Sequence, residues 1–216
     1  MHVHRGDAQQ GIQYCDEALV LGALPFDAAM ARAVRGYGKI KAGQLDSGIA
    51  DLEEAVAWFA NLRLRYTYTR YAVWLAEGHL RRGEQAAARD LIEDVLRTSR
   101  NTGYLQIEGV ASWLMGECLA AEAPAEAEPY VAKAMAILER IGARNDLARG
   151  MVTRAALRQA AGDLATARKL VDEAEAIFRV LGTFDEPARV QAARAALDLG
   201  SDISLLRRND KNARSG

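Results

Sequence analysis

The residues of this chain that could do chemistry are few, and a short glycine-lysine run is the first to consider. Gly36, Gly38 and Lys39 supply part of the pattern that cradles phosphate groups. A phosphate-binding loop also needs a glycine five residues before the Gly-Lys pair and a Ser or Thr after the lysine. Ala33 and Ile40 occupy those two positions. We therefore expect Gly36 to serve helix packing and not phosphate binding.

Histidine and cysteine give no better catalytic or metal site. His2 and His4 lie near the N-terminus, and no Cys or carboxylate spacing completes a metal site with them. His79 stands alone, in a pattern more typical of a packed histidine than of a general base. Cys15 and Cys118 both fall at apolar positions and are expected to be buried. The sequence therefore predicts no enzyme activity, no cofactor and no metal.

Composition excludes several classes of partner. The chain has 216 residues, 50% of them hydrophobic, and a formal net charge of -1. This balance does not supply the cationic surface that direct nucleic-acid binding requires. No apolar run approaches the roughly 20 residues that span a bilayer, and the N-terminus lacks the apolar core of a signal peptide. We expect no membrane association and a cytoplasmic location.

A cluster of aromatic and arginine residues between positions 63 and 77 is the strongest candidate for a binding surface. Tyr, Trp and Arg dominate the hot spots of protein interfaces. Residues on one helix cannot all share one face, so we expect Tyr71 and Trp74 to pack against neighbouring helices. The cluster comprises Arg63, Arg65, Tyr66, Tyr68, Arg70, Tyr71 and Trp74.

The elements that position these residues are set by an internal repeat. Gly43 is followed by Gly48, Leu52 and Ala55, at offsets of 5, 9 and 12 residues. Small or apolar residues recur at the same offsets after Gly6, Gly83, Glu122 and Gly162. A period of about 40 residues with helical spacing predicts stacked helical hairpins, that is, an all-α solenoid.

The repeat also predicts the domain organisation. Complete hairpins are expected at 24–61, 63–102, 103–142 and 145–182, flanked by a lone second helix at 7–21 and a lone first helix at 186–199. We assign 1–200 to one solenoid domain and 201–216 to a short helix start with a basic flexible tail. Pro129 predicts that its helix starts late, near Glu128, or kinks. The second helices are expected to end near Gly22, Asn61, Gly103, Gly142 and Gly182, which accept a left-handed conformation.

Residues 161–178 resemble the second half of a tetratricopeptide repeat. Ala167, Val171 and Ala174 match the positions where that family packs its paired helices closely. In the first helices the family's small residue corresponds to Gly36, Ala76 and Ala155, and in the third hairpin to Met115 or, in a slipped register, Gly116. The long period and the run at 138–149 are similar to the repeat regions of bacterial signalling proteins, namely LuxR-type ATP-dependent regulators and class III adenylate cyclases. The resemblance implies a right-handed solenoid.

The resemblance also implies where a partner would bind, because first helices line the concave side of tetratricopeptide solenoids. In the third hairpin the expected groove residue is Ser112 or, in the slipped register, Trp113 with Glu117. The remaining groove residues are expected to be Tyr37, Arg70, Glu77, Arg149 and Gln159.

Two functions are consistent with this reading. The first is a noncatalytic scaffold that holds a peptide, a helix or a partner domain in the groove of a bacterial signalling protein. The second is a small-molecule sensor, which a compact, polar and half-closed pocket would favour over an open channel. Gly11, Cys15 and Ala18 of the lone helix are expected to lack cover within the chain, and a homodimer through this half repeat would supply it.

Overall fold

The computed structural model of the protein describes residues 7–183 and 188–198, and the regular structure in these ranges is entirely α-helical. The predicted all-α, repeat-like architecture is therefore confirmed. The helices are α1 (Ala8–Val20), α2 (Pro25–Lys41), α3 (Leu45–Asn61), α4 (Arg65–Arg82), α5 (Gln85–Thr102), α6 (Leu105–Leu119), α7 (Pro124–Arg140), α8 (Arg144–Ala160), α9 (Leu164–Leu181) and α10 (188–198).

Left-handed glycines follow most of the helices. Gly43, Gly83 and Gly162 follow the first helices of their hairpins with φ angles of 83°, 84° and 81°. After Gly83, the backbone N–H of Glu84 donates to the carbonyl of His79 at 2.9 Å, which satisfies one of the orphan carbonyls at the helix end. Four of the five predicted ends of second helices also have positive φ, namely Gly22, Gly103, Gly142 and Gly182.

The fifth predicted helix end, Asn61, is confirmed as the last residue of α3, but the left-handed residue that closes the helix lies two positions further on. Asn61 is still helical, and Arg63 takes the left-handed conformation with a φ of 54°. The N–H of Leu64 donates to the carbonyl of Phe59 at 3.0 Å, in the same bonding pattern as at the glycine turns. Phe59 is buried and Leu64 packs against the core, so packing sets the turn position although asparagine accepts this conformation more readily than arginine.

The third hairpin differs from expectation at its proline. Helix α7 begins at Pro124, where proline is favoured, and contains Pro129 in its interior. The late start near Glu128 is therefore wrong, and a kink at Pro129 stays a prediction. The small contact residue of α6 is Gly116, as in the slipped register, because a Cβ at this position would overlap the side chain of Val131 on α7.

First helices pack side by side along one face. Each helix from α1 to α8 packs against the next one in the chain, and α2 contacts α4, α4 contacts α6, and α6 contacts α8. Among the described helices no equivalent contact joins α3 to α5 or α5 to α7. The row of α2, α4, α6 and α8, which we call the inner row, is therefore the more tightly packed layer. The buried apolar residues extend from Cys15 on α1 to Leu197 on α10.

The N-terminal helix α1 is better covered than the sequence predicts. Gly11 and Cys15 on α1 are buried, so the expectation that they lack cover is wrong for them, because α1 packs against α2. Burial raises the pKa of the Cys15 thiol. The exposed apolar residues of α1 and its C-terminal end are Tyr14, Val20 and Leu21. Residues 1–6, 184–187 and 199–216, including the predicted tail, lie outside the described residues.

Candidate functional site

A buried carboxylate joins three helices of the inner row. Glu77 on α4 accepts hydrogen bonds from the Tyr37 hydroxyl of α2 at 2.9 Å and from the Arg149 guanidinium of α8 at 2.5 Å. Arg81, one turn further along α4, donates to the same carboxylate at 2.7 Å. Arg149 also donates to the Tyr37 hydroxyl, at 3.3 Å. We call Tyr37, Glu77 and Arg149 the inner brace.

The inner brace lies almost entirely away from solvent. The exposed fractions of Tyr37, Glu77 and Arg149 are 2%, 3% and 4%. Burial disfavours the charged form of Glu77, but the charges of Arg149, Arg81 and Lys41 and the Tyr37 hydrogen bond outweigh it. They hold the pKa of Glu77 well below its usual range. The pKa of Tyr37 is raised, chiefly by burial, so Glu77 is ionised and Tyr37 protonated at neutral pH.

An indole ring on α6 supports the inner brace. The Arg149 guanidinium lies over the ring of Trp113, 4.3 Å from its centroid, and Trp113 is fully buried. The indole N–H donates to the Thr153 hydroxyl of α8 at 2.7 Å. Because α6 lies between α4 and α8, Arg149 crosses Trp113 to reach Glu77. The brace therefore links hairpins that are not neighbours in the stack.

A second pair repeats this arrangement one hairpin further on. Glu117 on α6 pairs with Arg189 on α10 and accepts a hydrogen bond from Thr153 at 3.0 Å. The Arg189 guanidinium also lies over the Trp113 ring, 5.5 Å from its centroid. Glu77 and Arg149 are separated by 72 residues in sequence, and so are Glu117 and Arg189.

Beside the inner brace is a recess of about 310 Å³ that all four inner-row helices line. Glu77 also lines a wider cavity of about 570 Å³, in which Arg81, Glu117 and Arg189 take part. Glu77 therefore borders both spaces, whereas Tyr37 and Arg149 line the recess. The recess is lined by Tyr37, Lys41, Tyr66, Arg70, Val73, Trp74, Glu77, Tyr104, Leu105, Gln106, Ile107, Val110, Asn145, Asp146 and Arg149.

Stacked aromatic rings form much of the recess wall. The Tyr37 and Trp74 rings are parallel within 12°, with centroids 4.5 Å apart. Tyr66 and Tyr104 meet edge to face with centroids 5.1 Å apart, and Tyr66 remains 51% exposed. Arg70 lies 5.9 Å from the Trp74 centroid. Tyr71 and Trp74 are buried, as predicted for this cluster.

The predicted groove residues divide into four groups. Tyr37, Glu77 and Arg149 form the inner brace, and Trp113 and Glu117 lie directly beside it. Arg70 lines the recess. Gln159 is not brought to the recess, because its amide donates to the Ala196 carbonyl of α10 at 2.7 Å. Ser112, the other option in the third hairpin, is buried. Whether the recess residues bind a partner stays a prediction.

Sequence reasoning missed Tyr104, Asn145, Asp146, Lys41 and Arg189 at these sites. The regular spacing did contain a signal for Arg189, since Glu117 and Arg189 follow Glu77 and Arg149 by the same number of residues. Tyr104 immediately precedes α6, and Asn145 is the second residue of α8. The groove positions were counted from the small contact residues inside the helices, so this count does not extend to the helix starts.

Two side chains have shifted pKa values that bear on their reactivity. Glu77 is held ionised by three donors and has a lowered pKa, so it is a poor general base at neutral pH. Burial raises the pKa of Cys118, which disfavours the reactive thiolate. Within residues 7–183 and 188–198 no group of three His, Cys, Asp or Glu side chains could hold a metal ion.

No family model matches this chain, and no curated protein matches it in sequence. None of the helices α1 to α10, as far as they are described, combines the length and the apolar character that crossing a bilayer requires.

Proposed function

We propose that this chain is a noncatalytic, cytoplasmic ligand-binding module that senses a small-molecule effector in the recess. Its architecture is proposed to be a right-handed, tetratricopeptide-like solenoid with a period near 40 residues, and its setting a bacterial signalling or transcription-regulatory protein. The observation that carries the proposal is a recess of about 310 Å³ beside a buried polar brace. Small-molecule sites are typically concave, largely apolar and about 300 to 1,000 Å³ in volume.

The brace favours a small ligand over a helix or an extended peptide. A helix bound along the inner row would need a continuous groove past α2, α4, α6 and α8. A groove deep enough to hold a helix would cut through the bonds that Arg149 makes to Glu77 and Tyr37, whose side chains are all buried. Opening the path would leave a desolvated ion pair without its partners, which is costly.

Filling the recess tests the proposal. Val110 lines the recess and is partly buried, so Val110→Trp should occupy the space. Saturation-transfer NMR with indole and phenol as neutral probes should show binding to the wild type and loss of binding in this variant. Val180→Trp is the matched control, since Val180 is 71% exposed on α9 and lies outside the recess. Equal signals from both variants, or no binding to the wild type, would contradict the proposal.

A protein-binding scaffold is the second candidate. The exposed Tyr66 and Arg70 at the recess support it, because these residue types recur in interface hot spots. A peptide selected on the wild type from a displayed library decides between the two functions. If it still binds Val110→Trp and loses binding in Tyr66→Ala, the scaffold is the better account.

A further inference from the structure

The charges at the recess favour an anionic ligand. The basic residues that line it are Lys41, Arg70 and Arg149, and the acidic ones are Glu77 and Asp146. Glu77 is already paired with Arg149 and with Arg81 from outside the recess. Asp146 accepts a hydrogen bond from Gln106 at 3.1 Å and lies in the first turn of α8, where the helix dipole favours a negative charge. The recess therefore carries excess positive charge.

Arg70 is the cation best placed to bind that anion. Its Cζ atom lies 5.9 Å from the centroids of both Tyr71 and Trp74, and its side chain reaches solvent. No carboxylate of the described residues pairs with it, whereas Arg35 has such a partner in Asp51. A guanidinium held against aromatic rings keeps its N–H donors for a carboxylate, which it can bind with two parallel hydrogen bonds.

The remaining residues of the lining indicate which other chemical groups the ligand carries. Val73, Trp74 and Ile107 are buried apolar residues of the wall, and Val110 is partly buried. A flat apolar group would cover them while its carboxylate reaches the cationic side. The Oδ1 atom of Asn145 is buried and has no hydrogen-bond partner. Buried acceptors are nearly always satisfied, so a donor on the ligand would complete this site.

We infer that the recess binds a small aromatic carboxylic acid that also carries a hydroxyl group. The carboxylate pairs with Arg70, the ring lies on the apolar wall, and the hydroxyl donates to Asn145. This ligand class rests on the proposed sensing function and narrows it.

The test compares 4-hydroxybenzoate with its neutral isostere 4-hydroxybenzamide and with benzoate, by titration calorimetry on the full chain. The acid should bind at least about tenfold more tightly than the amide, since charge-assisted hydrogen bonds are roughly twice as strong as neutral ones. Arg70→Gln should abolish this preference, and Arg70→Lys should keep part of it. Arg65→Gln, an exposed arginine of α4 outside the recess, is the control and should keep all of it. Asn145→Ala should remove the advantage of 4-hydroxybenzoate over benzoate.

The outcomes separate the ligand class from the proposed function. If the amide binds as tightly as the acid, or Arg70→Gln keeps the acid preference with an unchanged circular dichroism spectrum, the ligand class is wrong and the sensing function stands. If Asn145→Ala leaves the order of the three probes unchanged, the hydroxyl contact is wrong. If neither these probes nor indole and phenol bind the wild type, both proposals fail.

Discussion

Replacing Glu77 by glutamine tests the inner brace most directly. The amide keeps the shape of the side chain and can still accept from Tyr37, but the negative charge facing Arg149 is lost. Breaking a buried ion pair by removing one partner costs about 3 to 5 kcal/mol. Arg81 is partly exposed and can turn to water, so the penalty falls on Arg149. We expect about 3 kcal/mol, the lower end of that range.

This loss should be visible in a thermal melt followed by circular dichroism. For a chain of 150 to 250 residues, 1 kcal/mol shifts the melting temperature by about 2 to 4 °C, so Glu77→Gln should lower it by roughly 6 to 12 °C at pH 7. The matched control is Asp46→Asn, which removes an exposed partner of Arg82 and should leave the melting temperature unchanged. The double variant Glu77→Leu with Arg149→Met should be more stable than Glu77→Gln, because it buries no unpaired charge.

The pH dependence of stability gives an independent check with a definite sign. The folded protein holds the pKa of Glu77 below that of the unfolded chain, so its stabilisation is complete above the ordinary glutamate pKa of about 4.3. The stabilisation is lost as the pH falls from there through the folded pKa, by about 1.4 kcal/mol per pH unit. The free energy of unfolding, measured by urea titration, should therefore fall more steeply with decreasing pH for the wild type than for Glu77→Gln between about pH 4.3 and 3. Equal slopes, together with a melting temperature within about 2 °C of the wild type at pH 7, would refute the reasoning.

Two further predictions concern packing and assembly. Gly48→Ala should destabilise the first hairpin by about 1 to 3 kcal/mol, because its Cβ would lie 2.7 Å from the Gly36 carbonyl oxygen. Gly150→Ala, whose Cβ would meet only Met135 at 3.6 Å, should instead stabilise the protein by up to about 1 kcal/mol, and the reverse order in urea unfolding would contradict this packing. For assembly, we expect the wild type to sediment as a dimer at micromolar concentration and Val20→Glu as a monomer, since Val20 on α1 is 86% exposed; a monomeric wild type would exclude the homodimer.

The sequence predicted the order of the helices and most of their ends because local rules govern both. Glycine at a left-handed position and small residues at fixed offsets act within one hairpin, and Gly43 and Gly83 behave as expected. The expected left-handed residue was wrong where a tertiary contact overrode residue type. At Asn61 the packing of Phe59 and Leu64 moves the turn to Arg63.

The site could be predicted only in part, for a physical reason. The helical register counted from small residues brought Tyr37, Glu77 and Arg149 to the inner row, where they lie. It did not predict the hydrogen bonds among these three side chains. Those bonds depend on the rotation between successive hairpins, summed over several hairpins. Gln159 shows the same limit. Its amide bonds to a carbonyl of α10, and the position of α10 cannot be predicted from the hairpin that contains Gln159.

The inner brace also bears on how the stack of hairpins comes apart. Repeat arrays with contacts only between neighbours unfold in steps, since each unit is held independently of distant ones. Here Arg149 of the fourth hairpin is bonded to Tyr37 of the first and Glu77 of the second. Such contacts, distant in sequence, close late in folding, so losing them should speed unfolding more than it slows folding. The first and fourth hairpins are thereby tied to the same cooperative transition, because neither can unfold completely without breaking a bond of the inner brace.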